Sequence, residues 1–247
     1  MAKTNRIRTD QMTNCACVIH GTGYDWIYVE RLYNMLDRRL SGGCRMHVYT
    51  EHDRSVPPHM IKHCLEEWKG ISGPKKSWWY KMQLFNPEHY QGNLLYFDLD
   101  VVINGDITWI THLDTEKFWC IKDFRYLQKE TVSGINSSTM WWNVERYQHV
   151  WEKFKSEEVN KVVRQYHGDQ DYLNATIDYN NRRYFDVKKI KSYRWQIADG
   201  GIAFPMRVPR SPGAGAVIDS DTSVIVFHGH PKPHEVTDQK IKELWKS

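Results

Sequence analysis

The chain has 247 residues, 40% of them hydrophobic, and a formal net charge of +4. That length suits one large α/β domain or two small ones, and the apolar share can fill a sizeable core. The charge excess is mild and no dense Lys/Arg block is interleaved with aromatics, which argues against nucleic-acid binding; no apolar run approaches about 18 residues, so no transmembrane segment is expected.

Residues Met1–Asp10 are polar and basic and lack the apolar stretch of a secretory signal. Residues 1–12 are expected to be a flexible N-terminus, and 13–247 a single domain without internal repeat or linker. The five cysteines are odd in number and match no zinc spacing. Reduced cysteines in a cytoplasmic protein are the expectation.

The first predicted strand is Asn14–Ile19, in which Cys15 and Cys17 fall on one face. A Gly-rich turn, His20-Gly21-Thr22-Gly23-Tyr24, leads to a helix capped by Asp25, with Ile27, Val29, Leu32, Tyr33 and Leu36 apolar. Strand, turn and helix make the first βα unit of an open sheet. Ligands of such sheets bind beyond the carboxyl ends of the strands, so His20 and Tyr24 are placed in the cleft. Arg45–Thr50 reads as a second strand, and Ser77–Phe85 as a helix stopped by Pro87.

Residues 94–107, Leu-Leu-Tyr-Phe-Asp-Leu-Asp-Val-Val-Ile-Asn-Gly-Asp-Ile, are the most informative stretch. The apolar run between Gly92-Asn93 and Asn104-Gly105 predicts a buried strand. Two carboxylates on such a strand, Asp98 and Asp100, are costly unless something positive meets them. A divalent ion does so, and carboxylate oxygens suit Mg²⁺ or Mn²⁺. A diphosphate is a natural further ligand. The competing reading is an Asp-x-Asp that ends a strand or caps a turn.

Strands are expected at Phe118–Lys122 and Thr139–Trp142, and helices over Val144–Phe154 and from Asp169 onward. Residues 208–222 read as an irregular loop. Val224–Phe227 is a last buried strand, followed by His228-Gly229-His230-Pro231-Lys232-Pro233-His234.

Four further segments, in order, give the chain a family likeness: Trp78-Trp79-Tyr80-Lys81-Met82-Gln83-Leu84-Phe85; Ile135-Asn136-Ser137-Ser138-Thr139-Met140; Gly168-Asp169-Gln170-Asp171 with Leu173-Asn174; and Phe227-His228-Gly229-His230-Pro231-Lys232-Pro233. With Phe97-Asp98-Leu99-Asp100, they resemble the GT-A fold glycosyltransferases of family eight, which includes glycogenin and bacterial galactosyltransferases, and their small bacterial and phage relatives. The likeness spans about residues 14 to 236.

The resemblance implies a mixed α/β sheet flanked by helices and a metal-dependent transfer of sugar, with retention, from a UDP-sugar to a carbohydrate or other hydroxyl acceptor. It implies Asp98, Asp100 and His228 as ligands of Mn²⁺ or Mg²⁺, with Lys81 and Lys232 on the phosphates. Tyr24 would stack on the base, near the backbone at His20 and Gly21. Asn136 and Asp169 would hold donor-sugar hydroxyls, Gln170 would lie near the anomeric carbon, and Gly229 would belong to the donor-binding turn. The family's metal histidine lies three residues before the glycine, where this chain has Val226; His230 competes with His228 for the role. Two other readings remain: a haloacid-dehalogenase-like phosphatase using Asp98 as nucleophile, and a silent nucleotide-sugar-binding module.

Overall fold

The structure, a computed structural model, describes residues 12–71 and 76–246. The flexible segment expected over 1–12 lies, Met12 apart, outside the described residues.

Alternation along the first strand shows how the layers form. In β1 (Thr13–Val18) Cys15 and Cys17 face one apolar cluster and Ala16 faces another. Both faces are covered, so the strand reads as continuously apolar rather than alternating. The chain continues through α1 (Ile27–Arg39), β2 (Cys44–Thr50), β3 (Ile61–Cys64) and a 3₁₀ segment, Ser77–Phe85. Then come β4 (Asn93–Phe97), β5 (Val101–Ile103), a single turn α2 (Thr108–Thr111), β6 (Phe118–Lys122) and β7 (Ile135–Asn143). Helices α3 (His149–Ser156), α4 (Val159–Gln165) and α5 (Asp169–Thr176) precede β8 (Arg182–Tyr184) and β9 (Ile190–Ser192). The chain closes with β10 (Ile202–Ala203), β11 (Val208–Pro209), β12 (Val224–Val226) and α6 (Gln239–Lys246).

Seven strands form the main sheet in the order β3-β2-β1-β4-β7-β6-β8. β1 pairs in parallel with β2 and β4, whereas β7 runs antiparallel to β4 and β6. Helix α1 packs with β2, β5 and α6; the 3₁₀ segment, α3 and α5 pack together on the other cluster. All five cysteines are free, and only Cys64 is exposed. No helix among the described residues is long and apolar enough to cross a membrane.

The single strand predicted over the Asp-x-Asp run is divided. β4 belongs to the main sheet, and β5 to a separate sheet of order β5-β12-β9. Asp98, Leu99 and Asp100 make the crossing between the two. The expected helix at 77–85 is 3₁₀, with every residue from Trp79 to Phe85 buried. Val144–Gln148 forms turns ahead of α3 rather than helix. The loop over 208–222 contains β11, paired antiparallel with β10.

Candidate active site

Three features of backbone connection bring distant residues together. The Asp98 N–H donates to the Ser138 carbonyl at 2.9 Å, which holds the end of β4 against β7. β12 runs antiparallel to β5, with Val226 opposite Val101. The residues following β12 therefore emerge beside those preceding β5, and Phe227-His228-Gly229 meets Asp98-Leu99-Asp100. Helix α5 packs on β7 and the 3₁₀ segment, and its first residue, Asp169, is buried against Lys81.

A cavity of about 450 Å³ opens at this junction. Every residue expected for the site lines it except Gly21.

Charges alternate along its floor. Lys232 Nζ meets Asp100 Oδ2 at 2.5 Å, and Tyr24 OH donates to the same oxygen at 2.8 Å. Asp98 Oδ1 accepts from Tyr96 OH at 2.6 Å and pairs with Lys81 Nζ at 2.8 Å. Lys81 Nζ then reaches Asp169 Oδ2 at 3.2 Å, and Ser137 Oγ donates to that oxygen at 2.5 Å. Three carboxylates face two ammonium groups, a formal excess of one negative charge.

Burial raises the Asp100 pKa, the Asp98 charge raises it further, and Lys232 works against both. Burial opposes the Lys81 charge, but Asp169 and Asp98 outweigh it and hold the lysine above its ordinary value. Burial and the Asp100 charge push Tyr24 up, so its hydroxyl stays protonated and donates.

Other expected residues are placed differently from the reading by resemblance. Lys81 is not a free phosphate-binding charge; it bridges Asp98 and Asp169 inside the protein. Gly21, in a left-handed turn at φ 68°, donates its N–H to Glu51 and accepts from Arg54 Nη2 at 2.7 Å. The backbone expected to meet the base is thus engaged with Glu51, whose carboxyl is lowered to about 2: burial raises it, but bonds from Arg54, Thr50 and Gly21 prevail. The three expected metal ligands are not gathered. His228 Nε2 shares a 2.7 Å hydrogen bond with Ser192 Oγ, and its ring stacks on Phe124. Burial, then Arg194, lowers its pKa to about 4, so the ring is neutral. His230 pairs with Glu235 on the surface.

Among the described residues, no group of three His, Cys, Asp or Glu is arranged to hold a metal ion. A Mg²⁺ or Mn²⁺ ion bound with a nucleotide needs only one or two carboxylates, because the phosphates supply other ligands. The oxygen pair Asp98/Asp100, with its excess negative charge and one engaged oxygen on each side chain, fits that arrangement. His20 supplies a second sign of an absent partner. Its ring stacks on Tyr80 at 4.1 Å, and both ring nitrogens are buried without a hydrogen bond. Buried polar atoms are normally satisfied.

Sequence reading gave no role to Tyr96 or Ser137. The period of two along β4 places Tyr96 on the face of Asp98, so its hydroxyl was open to inference. Ser137 is fixed only by the packing of α5 on β7, which no local pattern carries. Glu51 and Arg54, which hold Gly21, had no motif to mark them.

The mixed sheet, the crossing at the Asp-x-Asp and the flanking helices constitute a GT-A glycosyltransferase fold. No protein-family model matches the chain, and no curated protein is similar to it in sequence. Solved structures are similar in fold. The galactosyltransferase LgtC, in complex with donor and acceptor sugar analogues, superposes with a TM-score of 0.66 at 15% identity over 95% of each chain. The glycosyltransferase GlyE of Streptococcus pneumoniae gives 0.56 at 14% identity, covering 95% of this chain and 60% of its own. Mouse xyloside xylosyltransferase 1 gives 0.51 at 12% identity over 88% of this chain and 97% of its own.

Proposed function

We propose that the chain is a metal-dependent glycosyltransferase that moves a sugar from a UDP-sugar to a hydroxyl of a carbohydrate acceptor, with retention. The observation that carries the reading is the alternating row Lys232–Asp100 and Asp98–Lys81–Asp169 on the floor of one cavity at the β4–β5 crossing. A row with one excess negative charge takes a divalent cation readily, and the cation then makes the site attractive to a diphosphate.

Asp98 and Asp100 would hold Mn²⁺ or Mg²⁺. When bound, the ion supplies Lewis-acid stabilisation of the departing diphosphate. Lys232 lies within reach of the same oxygen of Asp100, so it can exchange that carboxylate for a phosphate and add fixed positive charge to the leaving group. His20 and Tyr24 would bind the nucleoside end. Asn136 and Asp169 would hold sugar hydroxyls, with Asp169 oriented by Lys81 and Ser137. Gln170 and Gly229 would flank the anomeric carbon and the diphosphate. His228 would enter the metal shell through Nδ1, because Nε2 is engaged by Ser192. The free cysteines support a reducing, cytoplasmic setting, and the meeting of the two larger sheets at the site supports one domain over 13–247.

The phosphatase reading needs a free nucleophilic oxygen on Asp98. Lys81 and Tyr96 engage Oδ1 and leave only Oδ2, the oxygen the metal reading also uses, so turnover separates the two readings. A panel of nucleotide-sugars, scored for donor hydrolysis with and without Mn²⁺, tests the proposal. Mn²⁺-dependent release of UDP from one donor supports it. Binding without turnover across the panel indicates a silent module, and hydrolysis of phosphomonoesters indicates a phosphatase.

A further inference from the structure

A second cavity, of about 310 Å³, shares a wall with the first: Asn136, His167, Gly168, Gln170 and His228 line both. On its other side stand Phe124, Asp171 and Trp195. Trp195 also lines a third cavity, of about 190 Å³, together with Gln196, Phe204 and Arg210. The three spaces therefore form a row. Gln170 and His228 stand at the first junction, and Trp195 at the second.

We propose that the second and third cavities are one extended acceptor groove: the sugar ring that receives the transfer lies in the second cavity against Trp195, and further sugar units continue past it into the third. The proposal rests on the transferase reading above and adds that the acceptor is an oligosaccharide rather than a single sugar or a small alcohol.

The chemistry of the walls supports a sugar. Trp195 is half-buried and held in place. Its ring stands edge-on to His228 at 5.1 Å and to Phe204 at 6.1 Å, and its backbone N–H donates to Ser192 Oγ at 3.2 Å. A fixed aromatic face beside a few polar groups is a common form of small-ligand site. Asp171 and Asn174 add groups that pair with ring hydroxyls. Asp123 and Asp171 outnumber Arg125, which is already paired with Asp123 at 2.5 Å. The second cavity therefore disfavours an anionic acceptor. Its position favours acceptor over donor: it shares Asn136 and Gln170 with the first cavity but none of Asp98, Asp100 and Lys232.

Length enters through Trp195. A single ring is accommodated by the second cavity and has no contact with Phe204 or Arg210. A chain of several rings reaches them by passing the indole. Ser192 Oγ bonds both the Trp195 backbone N–H and His228 Nε2, so the backbone that carries the indole and the imidazole share one anchor in the wall between donor and acceptor spaces.

The test uses the full chain saturated with UDP and Mn²⁺, titrated with methyl glycosides of one, two, three and four neutral hexose units in gluco and galacto series. Affinity should rise about tenfold or more from one unit to three in at least one series, the equivalent of one well-made additional contact. Trp195→Ala should remove that rise, and Arg210→Ala should weaken only the longest ligands. Should Trp195→Ala fail to fold, Trp195→Phe keeps an aromatic face and should give an intermediate slope. Equal affinity at every length, no saccharide binding at all, or an undiminished slope in the Trp195 variants overturns the groove while leaving the donor site intact. Failure of UDP and Mn²⁺ to bind overturns the transferase reading itself, and the groove with it.

Discussion

Lys232 Nζ lies 2.5 Å from Asp100 Oδ2, on a carboxylate that also faces the charge of Asp98. The ammonium is the partner of Asp100, as Lys81 is of Asp98. It stands where a divalent ion would compete for the same oxygen, and on the side from which it can turn to a phosphate.

Lys232→Ala should therefore move two affinities in opposite directions. Mn²⁺ alone should bind more tightly, because its competitor is gone. UDP in the presence of Mn²⁺ should bind about tenfold or more weakly, the loss of one charge-assisted hydrogen bond. Calorimetric titration of each ligand reads both. Equal losses for ion and nucleotide would make Lys232 a structural residue.

Lys81 is placed to act on stability first. It is buried between Asp98 and Asp169. Lys81→Met leaves two carboxylates without their common partner and should cost about 3–5 kcal/mol in denaturant unfolding. Adding Asp169→Asn to that variant should restore part of the loss. A cost below about 1 kcal/mol, the size expected of an exposed pair, would contradict the bridge.

Much of the fold was legible because its strands are short apolar runs between turn residues. β6 matches its predicted limits, and β1 and β2 differ by a residue at their ends. The division of the Asp-x-Asp run into two sheets was not legible, since both halves are equally apolar and only the pairing of β5 with β12 separates them. The site residues were legible as a set, through the order of weak motifs. Their contacts were not. Nothing local in Trp78–Phe85 tells that Lys81 faces inward, because a lysine on a helical turn is ordinarily solvated. Ser192, the hydroxyl that holds His228, comes from β9, which no sequence pattern marked.

Acid should destabilise the protein through a histidine pair remote from the cavity. His47 Nδ1 and His63 Nε2 are 2.8 Å apart, and burial lowers each pKa to about 4, helped for His47 by Arg45 and for His63 by His47 and His89. Their folded pKa values lie below the unfolded value of about 6.5. The unfolded chain thus binds more protons in that window, so their contribution is intact above pH about 6.5 and is lost as pH falls toward 4. Burial lowers His228 in the same direction. Denaturation midpoints across this range should fall with acid, and less steeply in His63→Gln. An identical slope in that variant would remove the pair from the account.

Asp169→Asn and Gln170→Ala should separate turnover from binding. The Asp169 segment faces the proposed sugar position rather than the Asp100–Lys232 end. Contacts that strengthen as the glycosidic bond opens affect kcat more than ground-state affinity. Donor hydrolysis should fall about a hundredfold, the scale of removing one transition-state contact, with UDP affinity little changed. Parent-like hydrolysis in both variants would reduce the segment to a helix start.

Asp98 and Asp100 are proposed to hold a nucleotide through a divalent ion, and UDP titration with and without Mn²⁺, on the parent and on Asp98→Asn and Asp100→Asn, reads that role. Mn²⁺ should raise UDP affinity in the parent by about tenfold or more, as direct ion–phosphate contacts should, and either substitution should remove the increment while a cooperative melting transition is kept, lowered in Asp98→Asn because Lys81 loses one of its two carboxylates. A Mn²⁺-independent affinity in the parent, or an increment that survives in both variants, would contradict it.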